Sequence, residues 1–385
     1  MMNFEFYNPT RIVFGEKSIA RLDDLVPTDA RVLVLYGGNS AERSGTLAEV
    51  RAALGARKRW EFGGIEPNPA YETLMRAVEL VRTEKLDFLL AVGGGSVIDG
   101  TKFVAAAVSF AGDPWVILET FGSTVTDALP FGTVLTLPAT GSEMNCASVI
   151  TKQETLAKLP FKTPFVYPKF SILDPIKTYT LPPHQLANGV VDAFTHVIEQ
   201  YLTYPTEGRV QDRFAEGLLQ TLIEIGSKVV NEPADFDSRA NLMWSATMAV
   251  NGLIAAGVPQ DWSTHMLGHE LTALYGIDHA RTLAIILPAM LHLRRESKRA
   301  KLLQYAERVW QITEGDEDAR IDQAIEKTRA FFEGLGLKTH LSDYNISADE
   351  IDRLIQQLQA HGMTQLGEHQ DVTLEVSRKV FEASL

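Results

Sequence analysis

The sequence predicts an α/β N-terminal half built on a parallel sheet, followed by an all-helical C-terminal half. Three observations carry this. Up to about residue 180, short apolar runs ending in glycine alternate with helical patterns, as strands covered by helices on both faces do. From residue 184 onward nearly every segment shows helical periodicity. Between them stands Pro182-Pro183, a natural break, which sets the domains at 1–181 and 182–385.

The elements follow in order. "NFEFY" (3–7) and "RIVFG" (11–15), separated by Asn8-Pro9-Thr10, predict paired strands across a turn. "RVLVLYGG" (31–38) and "DFLLAVGGG" (87–95) predict buried strands ending in glycine, and "GTVLTLPAT" (132–140) repeats the theme. "GTLAEVRAALGA" and "ETLMRAVELVRTEK" carry the apolar spacing of amphipathic helices. In the second half, helices are expected over 187–202, 213–230, 239–257, 300–313 and 321–336. Ser347 and Glu350, ahead of "IDRLIQQL", read as a capping box.

Composition excludes several classes. A formal net charge of −13 over 385 residues offers no basic excess to neutralise phosphates, so no nucleic-acid partner is expected. The longest strongly apolar run, "LAIILPAML", is about half a membrane span and contains Pro288, so no membrane association is expected. The N-terminus has neither a basic start nor an apolar core, unlike a signal peptide. The single cysteine, Cys146, allows no intrachain disulfide and is expected as a small buried filler. A cytoplasmic protein is expected.

Chemistry concentrates in the glycine turns and in a group of acids and imidazoles. Gly93, Gly94, Gly95 and Ser96 lie between a strand and a helix, where phosphate can approach bare backbone and a helix N-terminus. This is not the GxGxxG pattern. Gly37 and Gly38 end the first core strand, where an adenine ribose would lie. The next residue is the neutral Asn39, with Ser40 and Arg43 as donors to a 2′-phosphate and Glu42 opposing them. The balance favours NADP(H) over NAD(H). In "TLPATGSEMN", Thr136, Thr140 and Ser142, with Lys158 downstream, would line the nucleotide.

In the helical half, Asp192 and His196 are four apart, on one face of a helix otherwise apolar. His265 and His269 repeat that spacing, Gly276 ends their helix, and His279 follows in a loop. Buried carboxylate and imidazole groups need a shared partner, and one divalent ion, Zn2+ or Fe2+, would serve. The pattern is not HExxH.

These segments, "GGGSVIDGTK", "TLPATGSE", "GVVDAFTHVIEQY" and "THMLGHELTALYGIDHA", resemble the iron-containing (group III) alcohol dehydrogenases, in particular their butanol-dehydrogenase-like and aldehyde-reductase branch. The resemblance runs end to end. It implies a Rossmann-like dinucleotide-binding domain of the dehydroquinate-synthase-like fold and a helical metal-binding domain. It implies metal ligation by Asp192, His196, His265 and His279, with His269 near the active site but not a usual ligand. It also implies cofactor contacts from Asn68, Gly94, Gly95, Ser96, Thr136, Thr140 and Lys158, to which Asp99 of the same "GGGSVID" segment is added. The branch usually carries Gly-Gly-Gly-Ser and basic residues at the first turn, from which Asn39 and Glu42 depart. A homodimer and small aldehyde or primary alcohol substrates are further implications.

The expected chemistry is hydride transfer between nicotinamide and a carbonyl carbon, with His269 or a water chain handling the proton. Asp261, four residues before His265, would either orient that ring or simply charge a helix N-terminus. Alternatives are an NAD-linked polyol dehydrogenase of the glycerol type, a lyase of the dehydroquinate-synthase type, and a non-catalytic metal- and nucleotide-binding sensor. The lyase would need basic residues for an anionic substrate, and the pocket segments here are neutral and apolar.

Overall fold

The computed structural model describes residues 1–385 and divides into two compact units. The α/β unit comprises Tyr7–Pro182 and Pro233–Asn251; the helical unit comprises Met1–Phe6, Pro183–Glu232 and Gly252–Leu385. A single cut at 181/182 therefore differs from this division at two segments. Residues 1–6 join the helical unit, where the Met2 N–H donates to the Gly257 carbonyl at 2.9 Å. Residues 233–251 join the α/β unit, because Arg239 is buried and donates to the carbonyls of Thr178 and Pro233.

The α/β unit is built on six parallel strands: β1 (Arg11–Phe14), β2 (Arg31–Tyr36), β3 (Lys58–Phe62), β4 (Phe88–Gly94), β5 (Phe131–Leu137) and, beyond a separate hairpin of β6 (Ala147–Lys152) and β7 (Ala157–Lys162), β8 (Phe170–Leu173). Their order is β1-β8-β5-β4-β2-β3. Alternation along β2 sends Val32 and Val34 into one apolar layer and Leu33 and Leu35 into another. The first layer packs on Leu47, Val50 and Leu54 of α1 (Thr46–Leu54). The second packs on Leu74, Ala77, Val78 and Val81 of α2 (Tyr71–Glu84) and on Ile98 and Phe103 of α3 (Gly95–Ala107). Each such side chain, fully buried, contributes about 1.5–3 kcal/mol.

Strand order places the functional crevice. β3 lies on one side of β2 and β4 on the other, so the winding reverses between β2 and β4. In an open α/β sheet, ligands bind outside the carboxyl ends of the strands at such a switch point. Both glycine turns, after Tyr36 and after Val92, stand there, with Tyr36 in register opposite Val92.

Two local expectations fail along the chain. "NFEFY" forms no strand, because the Asn8 side-chain amide donates to the carbonyls of Met144 and Asn251 and draws the chain away from a hairpin. The helix expected over 239–257 is α6 (Phe236–Ala249) and stops short, since Gly252 and Gly257 take φ of 92° and 70°, outside helical space.

The helical unit contains α4 (Pro183–Tyr201), α5 (Arg209–Asn231), α7 (Ser263–Tyr275), α8 (His279–Leu293), α9 (Arg299–Arg308), α10 (Glu317–Gly334), α11 (Ile351–Ala360) and α12 (Leu374–Ala383). A two-residue antiparallel ladder, Gln365–Leu366 with Val372–Thr373, is its only sheet. Ahead of α11, Ser347 makes no side-chain cap; a 3-10 turn over Ala348–Glu350 takes the place of the expected capping box. No helix is long and apolar enough to cross a membrane.

Candidate active site

Three elements of the helical unit bring the acids and imidazoles together. Helix α4 is buried almost continuously from Leu186 to Tyr201 and presents Asp192, His196 and Glu199 at spacings of four and three, one face. Helix α7 carries His265 and His269, starts at Trp262 with φ 64° and ends at Gly276 with φ 66°. His279 is not in a loop: it is the first residue of α8. Gly268 lets α7 and α8 approach, for a Cβ there would stand 2.7 Å from Thr282 Oγ1.

Asp192 Oδ1 is the centre of the group. It lies 3.7 Å from His196 Nδ1, 4.0 Å from His265 Nε2 and 3.7 Å from His279 Nε2. The donor atoms of Asp192, His265 and His279 all fall within 4.8 Å of one another. His196 adjoins them, its ring stacked on His265 at 4.5 Å. Tetrahedral ligands with the usual zinc bond lengths stand about 3.4 Å apart, close to the three distances to Asp192 Oδ1.

The donor chemistry fits a divalent cation. Burial lowers the His196 pKa to about 4, with the neighbouring His265 adding to the depression, so its imidazole is neutral and its lone pair available. His196 Nδ1 is buried and has no hydrogen-bond partner, a state that costs free energy unless another ligand is supplied. His269 is buried beside the group, its ring 5.3 Å from that of His279.

The partner of His265 Nδ1 is Glu199, which sequence reasoning missed. Of the two roles open to Asp261, orienting that ring or charging a helix N-terminus, its contacts match the second: its Oδ1 accepts from the backbone N–H of Ser263, the first residue of α7, and its Oδ2 meets Lys298 Nζ at 2.9 Å. Burial first, then Asp261, pushes the Glu199 carboxyl well above the usual carboxylate range.

In the α/β unit, the turn Gly93-Gly94-Gly95-Ser96 joins β4 to α3. A Cβ on Gly93 would meet Val97 at 2.5 Å, and one on Gly95 would meet Thr140 Oγ1 at 2.3 Å, so packing demands these glycines as much as any phosphate does. A Cβ on Gly38 meets nothing within 4 Å, and Gly38, Asn39 and Ser40 are exposed. Around the turn, Ser96 Oγ accepts from Asn68 N–H at 3.2 Å and Lys158 Nζ donates to Asn68 Oδ1 at 2.9 Å. Thr136 and Thr140 are half-buried. Glu42 does not stand alone against a 2′-phosphate: Arg51 pairs with it at 2.9 Å and with Glu61 at 2.8 Å.

Asp99 differs from its expected role as a cofactor contact. Its carboxylate accepts from Ser142 Oγ and, at 2.9 Å, from the Val149 N–H. Lys102, fully buried and held down to a pKa of about 8 by that burial, donates to Ser142, Asn145 and the Ala147 carbonyl. Together they fasten the "TGSEMN" loop to α3.

Two family models match successive parts of the chain. Residues 9–175 match the model for iron-containing alcohol dehydrogenase, and residues 186–383 match the C-terminal domain of that family. The chain belongs to the iron-containing alcohol dehydrogenase family. Among relatives, the NADPH-dependent aldehyde reductase YqhD of Escherichia coli is 60% identical over 386 residues, covering both chains fully. A probable NADH-dependent butanol dehydrogenase of Bacillus subtilis is 40% identical, also across the whole of both. Among solved structures, that of the E. coli YqhD superposes with a TM-score of 0.99, covering 100% of this chain and 99% of that one. An NADH-dependent butanol dehydrogenase from Thermotoga maritima superposes at 0.95 with 33% identity and the same coverage. Within this family, then, the glycine turns lie in the N-terminal domain and the acid–imidazole group in the C-terminal one.

Proposed function

We propose that this protein is a metal-dependent, NADPH-linked aldehyde reductase that interconverts small aldehydes and primary alcohols. The observation that carries the reading is the gathering of three imidazole nitrogens about Asp192 Oδ1, within 4.0 Å. Asp192, His196, His265 and His279 would hold the ion, Zn2+ or Fe2+. Such an ion supplies Lewis acidity toward a carbonyl oxygen.

Reduction of a carbonyl takes a hydride at carbon and a proton at oxygen. The α/β unit serves the first need by holding a dinucleotide at the switch point. Gly37, Gly38, Gly94, Gly95 and Ser96 offer backbone to its phosphates, Thr136 and Thr140 line it, and Lys158 with Asn68 bounds the turn. His269 serves the second, as a buried imidazole next to His279. NADPH is favoured over NADH because Asn39 is neutral, Arg51 partly offsets the charge of Glu42, and the 60% identical relative is NADPH-dependent.

A homodimer is part of the proposal. Phe4 and Phe6 of the N-terminal segment are 50% and 45% exposed, and a second copy would cover them. A cytoplasmic location fits the lone, buried Cys146.

The test is consumption of NADPH by the metal-loaded protein with butyraldehyde, against NADH and against glycerol in the oxidation direction. A higher kcat/KM with NADPH and butyraldehyde is expected. Retention of full activity and stoichiometric metal by Asp192→Ala would overturn the ligand assignment. Light scattering at twice the monomer mass is expected for the dimer.

A further inference from the structure

Glu199 sits behind His265, opposite the face that meets Asp192. Its Oε2 pairs with His265 Nδ1, and its Oε1 accepts from the Thr264 N–H at 2.6 Å. Its own backbone carbonyl accepts from the Asp261 N–H at 2.9 Å. Lys298 Nζ joins Asp261 at 2.9 Å, Glu368 at 2.6 Å and the Leu202 carbonyl at 2.7 Å. The side chains of Glu199, Asp261, Glu368 and Lys298 are all 5% exposed or less. Asp261 and Glu368 thus share one buried ammonium, and Asp261 in turn holds the Glu199 backbone.

A neutral imidazole offers a lone pair at Nε2 only when its proton is on Nδ1. His265 Nε2 is the nitrogen facing Asp192. An acceptor at Nδ1 therefore selects the tautomer that can bind a cation at Nε2.

We propose that Glu199 is a positioning residue that sets the affinity of the Asp192–His265–His279 group for its divalent ion, by holding His265 as the Nδ1–H tautomer. The Lys298 cluster anchors the segment that carries it, through Asp261. This rests on the metal-dependent reading of the preceding subsection.

Glu199→Gln separates charge from shape. The glutamine oxygen keeps the bond from Thr264 N–H, which leaves an NH2 group against His265 Nδ1. That nitrogen must then accept, the proton moves to Nε2, and the lone pair in front is lost. Glu199→Ala removes the acceptor without imposing the wrong tautomer. A merely structural role predicts the reverse ranking, because alanine leaves a cavity and glutamine does not.

The experiment strips the full-length protein of metal and titrates it with Zn2+ against a chromophoric chelator, with NADPH binding followed separately by its fluorescence. Glu199→Gln is expected to weaken Zn2+ binding roughly 10- to 100-fold and by at least as much as Glu199→Ala, with NADPH affinity unchanged. Wild-type Zn2+ affinity in Glu199→Gln, or a larger loss in Glu199→Ala, overturns the proposal while leaving the metal-dependent reading intact. Absence of Zn2+ and Fe2+ binding by the wild type overturns both. Should neither variant fold, zinc-loaded wild type labelled with 15N-histidine decides. A His265 Nδ1–H proton shifted far downfield, as carboxylate-bound N–H protons are, supports the assignment, and an ordinary shift overturns it.

Discussion

At Gly38 and Gly95 the same residue type answers two different demands. Gly95 is enclosed: a Cβ would lie 2.3 Å from Thr140 Oγ1 and 2.5 Å from its methyl group. Gly95→Ala should therefore lower stability by about 1–3 kcal/mol, as overpacking does, and raise the KM for NADPH by displacing Thr140. Gly38 is open and its backbone needs no left-handed conformation. Gly38→Ala should leave the unfolding midpoint within experimental scatter yet raise the NADPH KM, because only a bound dinucleotide would meet the new methyl group. Thermal melts paired with steady-state kinetics check both. An unchanged KM in Gly38→Ala would remove that turn from the cofactor site.

Residues that act through one another are where sequence reading fell short. The i, i+4 pair Asp192/His196 and the pair His265/His269 are legible because polar groups on an apolar helix face have few explanations. Glu199 lies three residues beyond His196 on that face, so its spacing was available. Its role was not, because a glutamate near a helix end has many solvated explanations and only the fold sets it against His265. Asp261 shows the converse: its spacing of four from His265 allowed a contact to that ring or a place at the helix N-terminus, and beside the left-handed Trp262 it takes the second, with Lys298 on its other oxygen.

Among the elements, α7 carries His265 and His269, and what secures it bears on the site. His361, just past α11, pairs with Glu270 of α7 at 2.8 Å. That bond raises the His361 pKa above its ordinary 6.5, against the lowering effect of burial. A histidine with a raised folded pKa stabilises fully below its unfolded pKa, and the contribution disappears as pH rises through the folded value. Wild-type stability should therefore decline from pH 6.5 upward relative to His361→Gln, whose profile lacks this step. Urea midpoints measured across that window test it, and parallel profiles would disprove the clamp.

The loop "TGSEMN" depends on α3 through Lys102. Replacing that buried ammonium by methionine takes a donor from Asn145 Oδ1, from Ser142 Oγ and from the Ala147 carbonyl, and leaves Asp99 without its nearby positive charge. Lys102→Met should cost about 3 kcal/mol and weaken NADPH binding, seen as a lower urea midpoint and a higher KM. The strands were legible to different degrees for a related reason. β2, β4 and β5 announce themselves as apolar runs, since a parallel sheet buries them on both faces. β3, an edge strand reading "KRWEF" with mostly exposed or half-buried positions, carries no such signal. "NFEFY" carries it falsely, because its aromatics find no strand to pair with in this chain.

For the whole molecule, the distribution of chemistry between two units makes an ion a structural ligand of one of them. Asp192 belongs to α4, His265 to α7 and His279 to α8, so a single bound ion ties three helices of the helical unit. Binding to the folded state alone adds stability by mass action, about 4 kcal/mol at a thousandfold excess over Kd. Removal of metal by a chelator should accordingly lower the unfolding temperature, and restored Zn2+ should raise it in a concentration-dependent way. NADPH should produce its own shift, from sites in the α/β unit. Asp192→Asn separates the two ligands: it removes the charge at the centre of the imidazoles and should abolish the Zn2+ shift while the NADPH shift survives. Calorimetry with each ligand alone is the measurement. A Zn2+-dependent shift that persists in Asp192→Asn would place the ion elsewhere in the molecule.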